Sequence, residues 1–244
     1  MEEVAIPHIE AKSLKAQCAE TLERLIISGE LAVDALVPPE RDLARRLGVS
    51  RPVVHEALVE LASKGFVRVA PRRGVRVADF WRHGTLAIFE SVVLHSEGLF
   101  APEVLADMIR FRALIELEAA RLAAASGGGT ALGRLEALLS EEAAAGEGLE
   151  READIRARSE LDLRFHLLLA EASGSRILPL VLNSTIPVFR VFISRFYAAG
   201  PDLALVRRFH CAIVAAISER DVDGAVAAAK AMLDHGAAAL GIPT

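Results

Sequence analysis

The sequence has few of the residues that disulfide frameworks and β-sandwiches use. Its 244 residues include two cysteines, Cys18 and Cys211, which lie far apart and form no CxxC pair. Cysteines of this kind are typical of small buried thiols in a reduced compartment. Aromatic residues make up only 5% of the chain, whereas alanine and leucine are abundant. This composition favours helices over β-sandwiches.

Long apolar runs are also scarce. The most apolar stretch, residues 177–193, is about one residue shorter than a usual membrane span, and two prolines, an asparagine and an arginine interrupt it. We interpret it as a buried, kinked helix. The first 14 residues, MEEVAIPHIEAKSL, are too polar for a secretion signal. The sequence therefore predicts a soluble, cytoplasmic protein with no membrane partner.

The charge of the chain is unevenly distributed. A net charge of −5 argues against a generic polyanion binder. Residues 41–76, however, contain nine lysines and arginines and only three acidic residues, so the rest of the chain is strongly acidic. This asymmetry predicts one module that faces a polyanion and a second module with a different task. A solvated basic face without a partner is the alternative.

Residues 10–78 predict a winged helix-turn-helix. Helical spacing of apolar residues predicts helices over 14–27 and 40–47, the second ended by Gly48. Ser50 is a good N-cap for a third helix, which has a proline in its first turn and stops at a glycine. The β-type residues of 66–77 flank a PRRG turn and predict a short hairpin.

The abrupt restart of the helix after Gly48 makes the N-terminus of the third helix project. Ser50, Arg51 and the positive end of the helix dipole suit phosphates and base edges in a major groove. The hairpin tip, Arg72-Arg73-Gly74, suits a minor groove or the DNA backbone. A helical hairpin with a purely structural role is the alternative, but basic residues on both elements argue against it.

The stretch LIISGELAVDALVPPERDLARRLGVSRPVVHEALVELASKGFVRVAPRRGVRV resembles the DNA-binding domain of GntR-family bacterial transcription regulators. The resemblance implies a homodimeric regulator, with repression as the expected mode, that binds a palindromic operator in double-stranded DNA. With the basic pattern, it implies DNA contacts at Arg41, Arg45, Ser50, Arg51, Pro52, Val53, His55, Arg72, Arg73 and Gly74.

Three positions depart from the family pattern. Val37 replaces a leucine, which matters little, and Pro52-Val53 replaces a threonine-like pair, so that base contacts there are apolar or absent. His55 stands where the family has arginine. Because a histidine carries less charge at neutral pH and reaches less far, we expect an altered base preference or weaker, pH-sensitive DNA binding at this position.

From Thr85 onward every segment predicts helix. The clearest stretches are 104–125, 131–145, 151–173, 176–198, 202–219 and 222–240, separated by breaks such as SGGGT, AGEG and SGS. About 160 residues of such helices can close into a bundle. The predicted fold is mainly α. A winged helix-turn-helix (1–78) and a linker (79–84) precede an all-helical effector-binding and dimerisation domain (85–244).

Candidate ligands for a metal ion lie in this second half. Asp162 and His166 are four residues apart in an almost wholly apolar helix, so they share one face. His210 points into the core from its own helix, and His235 lies on the last helix. Three imidazoles and one carboxylate could form a divalent-metal site of the Zn, Ni or Mn kind. From spacing alone, a plain buried hydrogen-bonded pair is an equal alternative.

The segments FRALIELEAARLAA, DLRFHLLLAEASGS and FHCAIVAAI resemble the FCD-type effector domain of the FadR-like branch of the GntR family. The resemblance implies that Asp162, His166, His210 and a later histidine bind a metal, and that Arg112 and the metal hold a small organic acid. The last family histidine falls at Met232, one turn before His235. Either His235 takes its place after a small shift, or the site has fewer protein ligands.

The sequence is compatible with three other functions of the helical half. The tail of the bundle also resembles fatty-acyl-responsive members, but those lack the histidine found at position 166. The helical half could serve dimerisation alone. A metalloenzyme is the third reading, and the lack of HExxH, GxSxG or a free general base argues against it. We therefore expect a regulator and not an enzyme.

Overall fold

A computed structural model of the chain describes residues 12–95, 102–145 and 151–242. The chain divides into two compact units, Met1–Gly98 and Leu99–Thr244. The predicted AGEG break extends outside the described residues, as do the outer ends of the first and last predicted domains.

The N-terminal unit is a winged helix-turn-helix followed by two further helices. Its elements are α1 (Leu14–Ile27), α2 (Glu40–Leu47), α3 (Arg51–Lys64), β1 (Val67–Ala70), β2 (Gly74–Val77), α4 (Phe80–His83) and α5 (Ile88–His95). The order confirms the winged helix-turn-helix prediction. Helix α5, which the sequence assigned to the second domain, packs on α1 within this unit.

Two glycines set the angles around α3. Gly48 ends α2 in the left-handed region (φ 68°, ψ 28°), as the sequence predicted. Gly65 ends α3 with φ 95°, and its amide donates to the carbonyls of Leu61 and Ala62. A Cβ at position 65 would lie 2.6 Å from the Cα of Gly84, so only glycine fits this crossing.

The wing is a tight antiparallel hairpin. Arg68 pairs with Arg76 in the register of β1 and β2, and the amide of Arg73 donates to the carbonyl of Ala70 across the tip at 2.9 Å. Leu36 forms an isolated bridge to Arg76, so the loop before α2 extends the hairpin by a short third edge. The sequence did not predict this edge.

The C-terminal unit is a bundle of six helices among the described residues. They are α6 (Pro102–Ser126), α7 (Ala131–Ala144), α8 (Glu152–Ala172), α9 (Ile177–Ala198), α10 (Leu203–Glu219) and α11 (Val222–Ala239). All six predicted helices are present. Alanines make up about half of the buried core cluster, and larger side chains such as Leu135, Phe165 and Ile217 make up the rest. Small side chains let α6, α8, α10 and α11 pack closely around it.

Helix α9 coincides with the most apolar stretch of the sequence. Pro187 lies inside it, while Phe192 and Tyr197 are among its buried residues. Of the helices in the described part of the chain, α9 is the one long and apolar enough to cross a membrane, and a single helix of this kind is weak evidence for a span.

Candidate DNA-binding surface and helical-bundle site

The ten residues expected to contact DNA lie on α2, α3 and the wing of the N-terminal unit. Nine of them are exposed, and Val53 is half-buried. Ser50 is the N-cap residue of α3, but its side chain makes no capping hydrogen bond. Its hydroxyl and the first amides of α3 are therefore available to a ligand.

Glu40 organises the start of α3. This first residue of α2 places Oε1 2.8 Å from His55 Nδ1 and Oε2 3.9 Å from Arg51 Nη2. One carboxylate thus faces two of the residues that were expected to contact DNA. The sequence did not predict this contact, because Glu40 lies on a different helix from Arg51 and His55 and is 15 positions from His55.

The cations of the wing fall into two groups. Arg68 donates to Asp34 Oδ1 at 2.6 Å, and Arg76 donates to the Asp34 carbonyl at 2.7 Å, so both brace the hairpin. Arg72 and Arg73, at the exposed tip, have no ion-pair partner within the described part of the chain. The tip cations are therefore the ones available to a polyanion.

In the C-terminal unit, the predicted Asp162, His166 and His210 come together. His166 Nε2 lies 3.4 Å from Asp162 Oδ2, and His210 Nε2 lies 3.6 Å from Asp162 Oδ1. Tyr197 donates its hydroxyl to Asp162 Oδ1 at 3.1 Å. All four side chains are buried, and the His210 ring stacks on Phe165 at 3.8 Å between centroids.

Two buried glutamates hold the far side of the histidine rings. Glu116 Oε2 lies 2.5 Å from His166 Nδ1, and Glu142 lies 2.9 and 3.1 Å from His210 Nδ1. A carboxylate accepts and does not donate, so each Nδ1 carries the proton. Burial and Arg112 lower the pKa of His166, but the charge of Glu116 and the hydrogen bonds of Asp162 and Glu116 outweigh them and raise it. When a ring is neutral, its Nε2 lone pair faces Asp162.

Burial and neighbouring charges determine the protonation of the cluster. Burial alone raises the pKa of Glu116, but Arg112 and His166 outweigh it and lower the pKa to about 2. Burial likewise raises the pKa of Asp162, and the hydrogen bond and charge of His166 lower it well below its usual range. Both groups are therefore carboxylates at neutral pH. Burial, with the charge of Asp162, raises the pKa of Tyr197, which stays a phenol and donates.

Arg112 closes the cluster from α6. It donates through Nε to Glu116 Oε1 at 2.5 Å, and its Nη2 lies 2.5 Å from His166 Nε2. The guanidinium also lies over the Phe189 ring, 5.4 Å from its centroid. Arg112 thus occupies the space in front of the His166 lone pair, beside Asp162.

A small cavity of about 40 Å³ opens beside this arginine. Arg112, Asp162 and His166 line it, together with Met232 and His235. The Nε2 atoms of His210 and His235 are buried and have no hydrogen-bond partner among the residues that the structure describes. In the described residues, no three or more His, Cys, Asp or Glu side chains form a group that could hold a metal ion as they stand. His235 shares the cavity but makes no ion pair with Asp162 that the structure describes.

The sequence did not identify Glu116, Glu142 or Tyr197. Glu116 could have been identified from the sequence, because it follows Arg112 by four residues, which is the spacing of an intrahelical ion pair. Glu142 and Tyr197 could not be identified in this way, because their partners, His210 and Asp162, are 68 and 35 residues away.

Comparison with known proteins agrees with this division into two units. Residues 14–77 match the bacterial regulatory proteins of the gntR family, and residues 107–235 match the FCD domain. The chain is 33% identical to the Glc operon transcriptional activator of Escherichia coli K12 over 208 residues, 83% of this chain and 79% of the relative.

Two more distant proteins are also similar. The chain is 25% identical to the fatty acid metabolism regulator protein of Shewanella sp. ANA-3 over 195 residues, 80% of this chain and 76% of that one. The solved structure of Lar, which controls the expression of the Listeria monocytogenes agr system, matches with a TM-score of 0.63 at 18% identity. The match covers 96% of this chain and 100% of Lar, and shows a shared fold.

Proposed function

The chain belongs to the GntR family of bacterial DNA-binding transcription regulators and has an FCD domain, and from this premise we propose how its two units divide the task. The N-terminal unit reads a palindromic operator. The C-terminal unit binds a divalent metal ion and a small carboxylate, and their binding changes the operator affinity by about 1–3 kcal/mol.

On DNA, we propose that α3 enters the major groove with its N-terminus first. Arg51 reads base edges beside Ser50, Pro52, Val53 and His55. Arg41 and Arg45 contact phosphates from α2, and Arg72, Arg73 and Gly74 approach the adjacent minor groove or backbone. The exposed cations Arg72 and Arg73 at the wing tip support this arrangement, because within the described residues they form no ion pair that DNA binding would break.

This part is tested with an operator selected from a random DNA pool. We expect Arg51→Ala to weaken specific binding about ten-fold or more, as loss of a base contact does, and Asp162→Ala to retain it. Arg82→Ala is the matched control, because this arginine is exposed in the same unit but lies outside the proposed surface. Equal binding by the Arg51 and Arg82 variants, measured by fluorescence anisotropy, would contradict the assignment.

For the C-terminal unit, one observation carries the proposal. The Nε2 atoms of His166 and His210 converge on the carboxylate of Asp162. Arg112 already meets His166 Nε2, whereas His210 Nε2 is buried and has no hydrogen-bond partner among the described residues. A buried imidazole lone pair that faces a buried carboxylate favours a cation between them. Their separations of 3.4 and 3.6 Å are near the spacing of neighbouring ligand atoms that each lie about 2.0–2.2 Å from one ion. Zn, Ni or Mn suits this ligand set.

Glu116 and Glu142 fit the same role. By accepting from Nδ1, each fixes the tautomer that leaves Nε2 free to bind a cation, which is how metal-bound histidines are usually held. When bound, the metal supplies a positive charge that attracts a carboxylate oxygen. The fourth position is open to His235, which lines the cavity, or to solvent.

We propose that Arg112 binds the effector. Its guanidinium borders the cavity beside Asp162 and His166, and a guanidinium matches a carboxylate in two parallel hydrogen bonds. The cavity of about 40 Å³ suits an acid of a few heavy atoms better than a fatty-acyl chain.

Metal analysis of purified protein and calorimetric titration with Zn²⁺, Ni²⁺ and Mn²⁺ test the site. We expect His210→Ala to lose binding and His83→Ala, an exposed histidine of the other unit, to keep it. A thermal-shift panel of organic acids, with and without metal, should show stabilisation that Arg112→Met removes. If neither a metal ion nor an organic acid binds, the proposal for this site is overturned, and dimerisation becomes the alternative role of the helical unit.

We further propose a cytoplasmic homodimer that acts as a repressor. The C-terminal unit exposes apolar side chains, Leu114 at 72% and Ile177 and Leu180 at 61% each, which a second copy could cover. Light scattering measures the oligomeric state. A reporter gene behind the selected operator measures the sign of regulation, since a repressor lowers expression and an activator raises it.

A further inference from the structure

A second pocket in the C-terminal unit adjoins the site described above through Glu142 and Tyr197, but Arg112, Asp162 and the histidines do not line it. It lies between the last turn of α7, α8, the end of α9 and the first turns of α10. Its volume of about 440 Å³ is roughly ten times that of the cavity beside Arg112 and is within the range of about 300–1,000 Å³ typical of small-molecule sites.

Three arginines line this pocket. Arg207 and Arg208 are exposed on α10 and have no ion-pair partner among the residues that the structure describes. Glu142 is the one acidic side chain of the described lining, and both of its oxygens are held by His210 Nδ1. The pocket therefore has an excess of positive charge that its own walls do not neutralise.

Arg158 is the most informative of the three. It is only 9% exposed, and its Nη1 donates to the backbone carbonyl of Glu142 at 3.1 Å. None of the carboxylates in the described ranges lies within 4.0 Å of its guanidinium nitrogens. A buried cation is costly unless an anion pairs with it. An anion that pairs with Arg158 can bind in the pocket in front of it.

We propose that this pocket binds a small molecule through a phosphate or carboxylate group. Arg158 holds the oxyanion at the base, and Arg207 and Arg208 hold it at the mouth, because planar guanidinium groups pair with such oxyanions through two hydrogen bonds. The ligand is a second one, distinct from the acid proposed beside Arg112, and its binding needs no metal ion.

Cys211 provides a direct measurement. It lines the pocket and is partly exposed, whereas the other cysteine, Cys18, is buried in the N-terminal unit. Full-length, metal-stripped protein is treated with iodoacetamide in the presence of inorganic phosphate or malonate, at constant ionic strength set with chloride. Since only unoccupied protein reacts, alkylation of Cys211 should slow about ten-fold at ten times the dissociation constant.

Variants decide whether the pocket is responsible. The double variant Arg207→Ala, Arg208→Ala should lose the protection. Arg195→Ala should keep it, because Arg195 is exposed in the same unit but lies outside the pocket. Circular dichroism checks that each variant folds.

Protection by phosphate alone identifies a phosphorylated ligand, protection by malonate alone identifies a dicarboxylate, and both results support the pocket. No saturable protection by either anion, or equal protection in the double variant, overturns the proposal. Either negative result leaves the metal and Arg112 assignments unaffected, since these variants lie outside that cavity.

Discussion

Replacing Glu116 with glutamine tests the charge balance of the bundle most directly. Glu116 is 1% exposed and accepts from Arg112 Nε and His166 Nδ1 at 2.5 Å each. Glutamine keeps the shape but removes the negative charge, so Arg112, itself only 13% exposed, loses its ion-pair partner. Breaking a buried pair costs about 3 kcal/mol at the lower end of the observed range. For a unit of this size, that corresponds to a melting temperature about 6–12 °C lower.

Glu118→Gln is the matched control, two residues along the same helix. Glu118 pairs with Arg121 on an exposed surface, where we expect no measurable change. Urea unfolding of metal-free protein at pH 7, followed by circular dichroism, compares the variants. In the near-ultraviolet region, the signal of the only tyrosine, Tyr197, reports on the C-terminal unit. The signal of the only tryptophan, Trp81, reports on the N-terminal unit. If both variants unfold at the same urea concentration, the buried pair does not stabilise the fold as argued.

Three further predictions concern other parts of the molecule. Gly65→Ala should destabilise the N-terminal unit by roughly 2–3 kcal/mol more than Gly29→Ala. Both glycines have positive φ, but only the Cβ added at position 65 would lie 2.6 Å from a backbone atom. Equal melting temperatures of the two variants would show that this steric clash does not occur. His55→Arg should tighten operator binding in anisotropy titrations, and an unchanged affinity would mean that position 55 does not touch DNA. The low folded pKa of Glu116 contributes stability above its unfolded value of about 4.3, so the C-terminal unit should lose that stability as pH falls toward 2. Glu116→Gln should flatten the melting temperature over this range, and an unchanged slope would exclude Glu116 as the source.

Local signals in the sequence account for most of the fold. Gly48, Ser50 and Gly65 mark helix ends through backbone conformation and capping, which depend on neighbouring residues alone, and all three were predicted where the structure has them. The six helices of the bundle follow from periodicity in the same way. Family resemblance then supplied Asp162, His166 and His210 as a set, which spacing alone left undecided.

Contacts between residues far apart in the chain could not be predicted from the sequence. The bridge from Leu36 to Arg76 depends on how the loop before α2 returns to the wing, and no periodicity encodes that path. The bonds of Glu142 to His210 and of Tyr197 to Asp162 join helices far apart in the chain. The sequence also placed the start of the second domain before α5, because a short apolar helix gives no sign of which core it joins.

The contact of Glu40 with Arg51 and His55 has a consequence for how the protein would search a genome. If Arg51 reads bases as proposed, it must leave the carboxylate 3.9 Å away before it can do so. On random DNA, Arg51 can exchange the carboxylate for a phosphate alone. At the operator it gains a base contact as well as a phosphate, so the exchange there is more favourable. Under that proposal Glu40 competes with DNA for Arg51 at every site, and because both side chains are partly exposed this competition weakens binding by no more than about 1 kcal/mol. The cost is the same at the operator and at a random site, so Glu40 would shorten the dwell time on both.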